Sequence, residues 1–587
     1  MPTIEIDYED FRSLLGIDLP RDREKLDDIF SYVKGEVKLL EDNELHIELQ
    51  DTNRPDLWCV EGLARTLKGF LNIEKGLKNY KVEGSSGVEI RVDPELKGIR
   101  PYIACAVVKD VQISDTFIRE IMRLQDKMDQ TYGRQRKRTS IGLYDFDLVN
   151  PPLRYGVAKP KEVRFVPLEF EDELTLEEIL NKHPKGIEYG HIVRPYPVWP
   201  ILMDSEDKVL SFPPIINSND LGRITEDTEN VLIELTGTVH ETVLNTLTII
   251  ALSLADRGGS IYSAKIHYPY GRVKETQTPE LKTETLKINM DYIKSVLGMD
   301  LSPQEIKDLL ERARFGVPDV QETEVTVEVP CYRVDIMHPV DVIEEIAIAY
   351  DYNKVAPRWP QLPTIGGTAP EERFRNVIRE IMVGLGFQEV LSFTMSNPDN
   401  LFIKMNIKRE NVVEVVNPKV LSFRCMRSWL LPSLMEFLSR NTHVEYPQRV
   451  FEVGYCVIFD EERENKTRDV DKLASVTIQS KANFTEMKAV LDSVLLNLGI
   501  QYELEETKHG SFIDGRVGEI IVNNGNVGII GEIHPKVLEN WKLENPAVAF
   551  EIELGKLREA ISRGSLDQFP ESTRRQRLLE SNMGLGE

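Results

Sequence analysis

The character of the sequence changes four times along its 587 residues, and this pattern predicts several domains rather than one continuous fold. Short β-branched runs occur together with amphipathic helical patterns, so the predicted fold class is a multidomain α+β protein. The boundaries fall at linkers and at changes of composition. They predict an N-terminal α+β domain, a second α+β domain, a helix-turn-helix-like domain, an antiparallel-sheet core domain and a tail, at residues 1–85, 88–265, 275–356, 360–556 and 557–587.

The third segment carries the clearest local signals. MDYIKSVLG is typical of a short helix that ends at Gly298. A second helix is predicted to start at Ser302, which can cap it, with Pro303 at its first position and Glu305 reaching back to complete a capping box. Residues 325–329 then alternate between Val and polar residues, which indicates a half-buried strand. Two short helices followed by strands resemble a winged helix-turn-helix.

The fourth segment predicts a mainly antiparallel sheet with helices between its strands. A helix with one apolar face ends at Gly384, and strands are predicted at FQEVLSF, RVFEVGYCVIF, RVGEIIV and VGIIGEI. Asn524 and Gly525, between the last two strands, form a favourable hairpin turn. Beyond residue 556 the tail has mixed charge and little apolar periodicity, so we expect it to add nothing to the core.

The charge of the chain limits its nucleic-acid partners. Lys plus Arg is 72 and Asp plus Glu is 97, which gives a formal charge of −25. A chain this acidic should not bind nucleic acid indiscriminately, because neutralisation of phosphates drives non-specific binding. Any RNA contact must come from a local basic patch, and the candidate is Arg134, Arg136, Lys137 and Arg138. The alternative is that this run is a solvated loop.

The cysteines and the apolar runs indicate a cytoplasmic protein without membrane spans. Five cysteines lie far apart with no C-x-x-C pair, which is typical of a reducing compartment. The N-terminal sequence MPTIEIDYEDF is acidic and lacks the apolar region of a secretory signal. No uncharged run reaches the ~18 apolar residues that a membrane span needs.

A cluster of acids in RVDIMHPVDVIEEIAIAYDY is a candidate metal site. Pro339 suits a helix start, which places Asp341, Glu344 and Glu345 on one helical face, and Asp335 just before the helix can fold back towards them. Clustered carboxylates are ligands that Mg²⁺ prefers. The alternative is that acids near a helix N-terminus complement the helix dipole on a solvated face.

The same segment, RVDIMHPVDVIEEIAIAYDYNKV, resembles the metal-carrying region of phenylalanine–tRNA ligase beta subunits of the archaeal and eukaryotic cytosolic type. A further match to that family is TNRPDL at residues 52–57, in the first segment. The segments IGLYDFD, VLSFPPIINSNDLGRIT and IELTGT resemble its editing region. GFQEVLSFTMSNP, MRSWLLPSLMEFLSRN, FEVGYCV and IIGEIHP resemble its catalytic-like domain. The resemblance covers about residues 1–556 in the expected order.

The resemblance implies a heterotetramer of two such chains with two alpha subunits, in which the alpha subunit binds ATP and phenylalanine and charges tRNA(Phe). It implies that residues 360–556 form a class II synthetase-like domain that is catalytically inactive. In agreement, residues 520–556 lack the Gly-rich strand ending in Arg that such enzymes use on ATP. It also implies Mg²⁺ binding, shared with the alpha subunit, at Asp335, Asp341, Glu344 and Glu345.

The resemblance further implies that residues 88–265 hydrolyse mischarged Tyr-tRNA(Phe). A pocket that fits phenylalanine cannot strongly exclude tyrosine, because an added hydroxyl costs little in an apolar site. By resemblance, Leu202 shapes an editing pocket and Glu234 accepts the tyrosine hydroxyl, while Ser211, Asn217 and Thr236 orient the ester or a water molecule. The alternative keeps Glu234 and Thr236 as ordinary residues on the polar face of a strand.

Two other functions stay open at the level of sequence. The chain could be a non-enzymatic nucleic-acid-binding protein that uses the helix-turn-helix-like segment and the basic run, although its charge of −25 disfavours this. It could also be a free-standing Mg²⁺-dependent hydrolase built on the acid cluster, but no general base of suitable placement is evident. Motifs for phosphate loops, zinc proteases and serine hydrolases are absent from the sequence.

Overall fold

The computed structural model describes residues 2–271, 274–360 and 366–562, and these form a mixed α/β protein with several domains. The chain divides into two units, residues 1–359 and residues 360–587. Among the described residues, no helix is both long enough and apolar enough to cross a lipid bilayer.

The N-terminal segment combines three strands with three helices: β1 (Thr3–Asp7), α1 (Tyr8–Leu15), α2 (Arg23–Phe30), β2 (Gly35–Glu41), β3 (Glu44–Leu49) and α3 (Val60–Phe70). The strands form an antiparallel sheet in the order β1-β3-β2. The first two helices begin where an aspartate caps them. The side chains of Asp7 and Asp22 each accept a hydrogen bond from the backbone N–H three residues later.

The second segment contains the large sheet of the first unit and four helices. Its elements are β4 (Val82–Val92), β5 (Tyr102–Lys109), α4 (Asp115–Gln130), β6 (Thr139–Asp145), β7 (Leu153–Ala158), β8 (Arg164–Phe165), β9 (Leu174–Thr175), α5 (Leu176–Lys182), α6 (Pro184–Tyr189), β10 (Trp199–Met203), β11 (Val209–Phe212), β12 (Ile216–Asn217), β13 (Val231–Gly237), α7 (His240–Asp256), β14 (Ser260–His267) and β15 (Glu275–Thr278). The large sheet has ten strands in the order β12-β11-β10-β7-β4-β14-β5-β13-β6, with β15 paired to β14.

The two end strands of this sheet meet. The Tyr144 hydroxyl on β6 lies 3.4 Å from Asn217 Oδ1 on β12, although these strands stand at opposite ends of the order. Close to this seam, Nη1 of Arg136 donates hydrogen bonds to the carbonyls of Pro214 and Ile215 at 3.2 and 2.8 Å. The sheet therefore curls until its ends touch, as strands do in a barrel.

The third segment consists of β16 (Glu284–Asn289), α8 (Met290–Leu297), α9 (Pro303–Arg312), β17 (Gly316–Val320), β18 (Glu324–Val329) and α10 (Pro339–Tyr350), with the sheet order β16-β18-β17. The local predictions here are confirmed. Gly298 ends α8 with φ of 65°, and Ser302 and Glu305 form the capping box of α9. The strand predicted at residues 325–329 lies within β18.

The three segments of the first unit pack together through shared cores. Phe11 of the N-terminal segment belongs to the same hydrophobic cluster as Ile233 of the large sheet. Phe70, at the end of α3, packs instead in the core of the third segment with Ile306. Contacts of this kind join the segments within the first unit, and the domain boundaries predicted inside it stay predictions.

The second unit is built on a seven-stranded sheet. Its elements are α11 (Pro370–Gly384), β19 (Gln388–Glu389), β20 (Met395–Ser396), β21 (Cys425–Met426), α12 (Leu431–Arg440), β22 (Gln448–Phe459), β23 (Thr467–Ile478), α13 (Phe484–Asn497), β24 (Glu503–Glu506), β25 (Phe512–Val522), β26 (Gly525–Ile533), α14 (Pro535–Asn540), β27 (Ala547–Glu553) and α15 (Leu554–Ser562). The order is β19-β22-β23-β27-β26-β25-β24, in which only the β19–β22 pair is parallel. The predicted antiparallel sheet is confirmed.

Helices cover both faces of this sheet. Phe550 on β27 packs with Ile378 of α11 and Leu491 of α13, whereas its neighbour Ala549 packs with Leu434 of α12. Successive residues of a strand point to opposite faces, so both faces of the central strands carry apolar side chains.

Two local predictions for the sheet of the second unit need correction. The hairpin between β25 and β26 exists, but Asn523 and Asn524 occupy its turn with φ of 52° and 63°, and Gly525 already pairs with Val522. Asparagine tolerates this left-handed conformation, so the turn lies one residue earlier than predicted. The strand predicted at FQEVLSF is limited to the two residues of β19.

The predicted tail is also wrong at its start. Helix α15 extends to Ser562, and Leu557 is fully buried in the core of the second unit. The mixed charge of this segment obscures the short amphipathic helix in the sequence. One buried leucine per turn is nevertheless enough to pack the helix against the core. Residues 563–587 of the predicted tail lie outside the described residues.

Candidate functional site

A cavity of about 950 Å³ lies at the seam where the ends of the large sheet meet. One wall comes from β6 and β13, including Ser140 and Glu234, and the other comes from the segment between Ser211 and Asn217. The wall thus combines a strand pair from one end of the sheet with a strand pair from the other. A concave site of this size with a few convergent polar groups is typical of a small-ligand pocket.

The register of the strands explains why polar groups converge on the cavity. In the antiparallel pair of β6 and β13, Glu234 faces Gly142 and Thr236 faces Ser140. Residues two apart on a strand share a face, so Tyr144 lies on the same face as these four residues. At the other end of the sheet, Ser211 pairs with Asn217 and, on its other side, with Leu202.

Glu234 is the clearest candidate for a ligand contact. Its side chain is buried, and its Oε2 accepts a hydrogen bond of 3.0 Å from the Tyr144 hydroxyl. Its Oε1 is buried without a hydrogen-bond partner among the described residues. Burial raises the pKa of Glu234 to about 7, against the opposing effect of the Tyr144 hydrogen bond. An unpartnered buried acceptor costs free energy, and such groups cluster at functional sites.

Ser211 and Asn217 approach the same tyrosine hydroxyl as Glu234. Burial raises the pKa of Tyr144 well above its usual value, and the neighbouring Ser211 hydroxyl opposes this effect. Ser211 Oγ is nevertheless buried without a hydrogen bond of acceptable geometry. Asn217 Oδ1 lies 3.4 Å from the Tyr144 oxygen. The structure therefore brings three of the five residues predicted for the editing pocket together around Tyr144.

The other two predicted pocket residues do not line the cavity, although their strand partners Ser140 and Ser211 do. Thr236 is fully buried, and its Oγ1 accepts a hydrogen bond of 2.9 Å from Nε of Arg100. The Arg100 guanidinium also donates to the Thr236 carbonyl at 2.6 Å and to Ser140 Oγ at 2.9 Å. Leu202 is fully buried and packs in the core cluster that contains Tyr144. Neither Thr236 nor Leu202 is among the described residues that line the cavity.

Sequence reasoning missed the residues that connect this site. Tyr144 and Gly142 lie in the IGLYDFD segment, and alternation along that strand with Ser140 was the signal that could have placed them on one face. Arg100 had no such signal, because its partners lie 36 to 136 residues away in the chain.

The basic run predicted to contact RNA is split by the fold. Arg134, Lys137 and Arg138 are exposed, but Arg136 is turned inward and is only 8% exposed. Its Nε lies 2.9 Å from Oδ2 of the buried Asp129, in addition to its bonds to backbone carbonyls. Arg136 is therefore not available as an exposed RNA contact. Its place in the run gave no sign of this, since charge alone does not tell an ion-paired arginine from a solvated one.

Two arginines form ion pairs with acids of the predicted metal site. Both carboxylate oxygens of Asp335 accept hydrogen bonds from Arg333, at 2.8 and 2.7 Å. Arg333 also donates to Oε1 of the buried Glu345 at 2.6 Å, and Arg54 reaches the same oxygen at 3.5 Å. Burial opposes ionisation of Asp335, but Arg333 and Arg54 together hold the pKa of its carboxyl below the usual range. With Asp56, which binds Arg54 through both oxygens at 2.9 and 2.7 Å, three carboxylates thus share two buried guanidinium groups.

The remaining two acids of that cluster are engaged elsewhere. Asp341 Oδ2 accepts hydrogen bonds from the backbone N–H groups of Met337 and His338 at 2.8 and 2.7 Å, as part of the capping box of α10. Glu344 pairs with Lys34 at 2.8 Å. The helix starts where predicted, but its acids serve the cap and the ion pairs.

In this chain taken alone, the four acids are not arranged to hold a Mg²⁺ ion, and the site shared with the alpha subunit stays a prediction. No three of the four acids lie close enough to share an ion. In the described part of the chain, the single group with that spacing is Glu5, Glu44 and His46, where Arg123 already pairs with Glu5 at 3.1 Å.

Comparison with known proteins agrees with the resemblance seen in the sequence. The family model described as "Phenylalanyl tRNA synthetase beta chain CLM domain" matches residues 356–554, and the one described as "tRNA synthetase B5 domain" matches residues 286–352. The phenylalanine–tRNA ligase beta subunit of Pyrococcus furiosus is 46% identical over 561 residues, which cover 95% of this chain and 100% of the relative. That of Methanocaldococcus jannaschii is 41% identical, with 94% and 100% covered.

A solved structure is similar as well. It is an N-terminal fragment of the phenylalanyl-tRNA synthetase beta subunit from Pyrococcus horikoshii, which is 40% identical in sequence and superimposes with a TM-score of 0.57. The match covers 60% of this chain and 100% of the fragment.

Proposed function

The chain belongs to the family of phenylalanine–tRNA ligase beta subunits, and we propose that it also hydrolyses tyrosine that has been attached to tRNA(Phe) in error. It is a subunit of an aminoacyl-tRNA ligase and takes part in charging tRNA(Phe) with phenylalanine. A non-enzymatic nucleic-acid-binding role is not favoured, because relatives of this one enzyme match nearly the whole chain. The same match disfavours a free-standing hydrolase.

The partner of the chain is the alpha subunit of the ligase, and we assign ATP and phenylalanine binding to that subunit in a complex of two alpha and two beta chains. The second unit of this chain supports the assignment. Its buried charges are paired with each other, Arg427 with Glu452 at 2.8 Å and Lys472 with Glu551 at 2.8 Å. Charges that neutralise one another inside a sheet are not free to bind a nucleotide, which agrees with a catalytically inactive class II-like core in residues 360–556.

The unpartnered Oε1 of Glu234 is the observation that carries the editing proposal. Tyrosine differs from phenylalanine by one hydroxyl group, so a site that separates them needs an acceptor for that hydroxyl. Glu234 lines the cavity and has one oxygen committed to Tyr144 and one oxygen without a partner. A site built to hydrogen-bond a substrate hydroxyl rejects the analogue that lacks it far better than an apolar pocket can.

The reaction is hydrolysis of the ester between the tyrosyl carbonyl and a ribose hydroxyl of the terminal nucleoside. Water oxygen bonds to the carbonyl carbon, the bond to the ribose oxygen breaks, and that oxygen takes a proton from the attacking water. Ser211 and Asn217 stand at the cavity wall opposite Glu234, where their polar atoms can orient the ester and the water. No side-chain nucleophile is required, because positioning alone supplies a large share of such rate enhancements.

Thr236 and Leu202 act on this site indirectly, as cross-strand neighbours of the lining residues Ser140 and Ser211. Thr236 fixes β13 through its bonds with Arg100, and Leu202 supports Ser211 as its neighbour in the sheet. Their part in editing is to hold the wall in place rather than to touch the substrate. Arg134, Lys137 and Arg138, which remain exposed, are proposed contacts for the tRNA backbone.

The test is release of tyrosine from preformed Tyr-tRNA(Phe) by the chain assembled with its alpha subunit, with Phe-tRNA(Phe) as the parallel substrate. We expect rapid release of tyrosine and slow release of phenylalanine, and loss of this preference in Glu234→Gln. A complex that charges phenylalanine but releases neither amino acid would overturn the editing proposal while leaving the ligase role intact.

A further inference from the structure

We propose that Tyr144 is a positioning residue for tyrosine specificity: it holds the Glu234 carboxylate by one oxygen and so presents the other to the hydroxyl of the bound amino acid. This inference rests on the proposed editing function. It adds to that function a residue whose only contact with the substrate is made through another side chain.

The first support is the asymmetry of the Glu234 carboxylate. Tyr144 donates to Oε2 at 3.0 Å, and Oε1 has no partner among the described residues. A carboxylate with both oxygens satisfied by the protein would have no strong acceptor left for a ligand. A carboxylate with neither oxygen held could rotate between orientations in the cavity. Tyr144 removes this freedom, because its ring is fully buried and its hydroxyl is fixed.

The second support is that position 142 carries no side chain, which leaves space for the hydrogen bond between Tyr144 and Glu234. A Cβ atom added to Gly142 would lie 2.4 Å from the Tyr144 hydroxyl oxygen and 2.7 Å from Glu234 Oε2. Both distances are too short for atoms that are not bonded, so any side chain there would separate the pair. Gly142 faces Glu234 directly across the β6–β13 ladder. Glycine at this position therefore allows Tyr144 and Glu234 to form their hydrogen bond.

The third support is that Tyr144 also joins the two ends of the sheet. Its hydroxyl lies 3.4 Å from Asn217 Oδ1 on β12, and Asn217 is the cross-strand partner of Ser211 on β11. The group that orients the specificity carboxylate is thus in contact with Asn217, one of the two residues proposed to orient the ester. One hydroxyl couples recognition of the side chain to the placement of the scissile bond.

The experiment compares Tyr144→Phe with the unaltered chain, each assembled with the alpha subunit. The readout is the ratio of kcat/KM for hydrolysis of Tyr-tRNA(Phe) to that of tRNA(Phe) charged with p-fluorophenylalanine, which has a similar size but no donor. A hydrogen bond to a charged group corresponds to a factor of about 10 to 100. We expect the ratio to fall by this factor, with the loss on the tyrosyl substrate and an unchanged KM for tRNA.

A double-mutant cycle shows whether Tyr144 acts through Glu234. If it does, Glu234→Gln lowers the ratio, and adding Tyr144→Phe to that variant lowers it little further. Gly142→Ala should reproduce the Tyr144→Phe effect, since it disrupts the same contact by steric pressure. The matched controls are Tyr268→Phe, whose hydroxyl bonds to the Ile103 carbonyl, and Gly156→Ala, where the nearest atom to a new Cβ is 3.8 Å away. Both controls should leave the ratio unchanged.

The outcomes separate this inference from the function on which it rests. An unaltered complex that hydrolyses Tyr-tRNA(Phe) selectively, together with a Tyr144→Phe variant of equal selectivity, would overturn the role of Tyr144 and leave editing intact. Equal losses on both substrates would also overturn it, because they indicate a structural effect. Absence of hydrolysis by the unaltered complex would overturn the editing function itself.

Discussion

Arg100 donates hydrogen bonds to both oxygen atoms of Thr236, to Oγ1 through Nε at 2.9 Å and to the carbonyl through Nη2 at 2.6 Å. Arg100 is only 2% exposed, and burial lowers its pKa. A guanidinium with so little water around it depends on such acceptors. The pair therefore fixes the strand that carries Glu234, two residues away on the same face.

The first prediction concerns that pair. Thr236→Val removes the acceptor of Arg100 Nε and leaves a buried donor unsatisfied, so the free energy of unfolding should fall by about 1 to 3 kcal/mol. Hydrolysis of Tyr-tRNA(Phe) should fall with it, while Thr236→Ser should keep both properties near their original values. Thermal unfolding and tyrosine release of the assembled complex measure the two effects. Equal behaviour of the Val and Ser variants would contradict the prediction.

The second prediction concerns pH. Burial disfavours the charged form of Glu234 and raises its pKa to about 7, so the carboxyl is neutral below that pH and ionised above it. Arg100 favours the charged form and Asp129 disfavours it. Because the ionised carboxylate is the stronger acceptor, the preference for Tyr-tRNA(Phe) over Phe-tRNA(Phe) should rise as pH increases through about 7. The measurement is the pH profile of the hydrolysis ratio.

Glu234→Gln is the control for that profile. An amide does not titrate in this range, so its ratio should be low and flat across the same pH values. A pH profile that persists in the variant would assign the titration to another group.

The third prediction concerns the arginines in the acid cluster. Replacing Glu345 by Gln leaves Arg333 and Arg54 with one buried carboxylate fewer, and loss of one partner of a buried ion pair costs about 3 to 5 kcal/mol. Glu344→Gln breaks only the partly exposed pair with Lys34, which should cost about 1 kcal/mol or less. Thermal unfolding of the two variant complexes should therefore differ clearly.

Removal of metal gives an independent check of the same cluster. Since the four acids are paired with arginine, lysine and backbone groups, a chelator should not change the unfolding temperature of the chain. A drop on chelation that is absent in Asp341→Ala would show that these residues hold an ion after all.

The fourth prediction separates the members of the basic run. Ala at Lys137 or Arg138 should weaken tRNA binding and reduce the salt dependence by about one phosphate contact each. Ala at Arg136 should instead lower stability, because Asp129 would lose its buried partner. Binding titrations at several salt concentrations, paired with unfolding curves, distinguish the two results. An Arg136 variant with full stability and weaker tRNA binding would contradict this division.

Local features of this chain were predictable from sequence, whereas the contacts that make the site were not. The capping box of Ser302 and Glu305 spans one helical turn, so its geometry follows from spacing alone. Tyr144 and Glu234 are separated by 90 residues, and Arg54 and Glu345 by 291. Which side chains meet over such distances depends on how the sheet closes and how the segments pack.

The acid cluster also shows that contacts between distant residues cannot be predicted from sequence alone. The sequence places Asp335 and Glu345 near one helix start, but only the packed structure reveals the arginines that neutralise them. The resemblance to a family implies the residues of the proposed pocket, and the structure adds that Leu202 and Thr236 do not line the cavity themselves.

The most direct test of the account is a crystal structure of the assembled complex with a non-hydrolysable amide analogue of 3′-tyrosyl-adenosine. We expect the analogue to occupy the cavity between β6–β13 and β11–β12. Its phenol oxygen should lie within hydrogen-bond distance of Glu234 Oε1, while Tyr144 keeps its bond to Oε2. A phenol bound away from Glu234, or an analogue seated elsewhere on the chain, would contradict it.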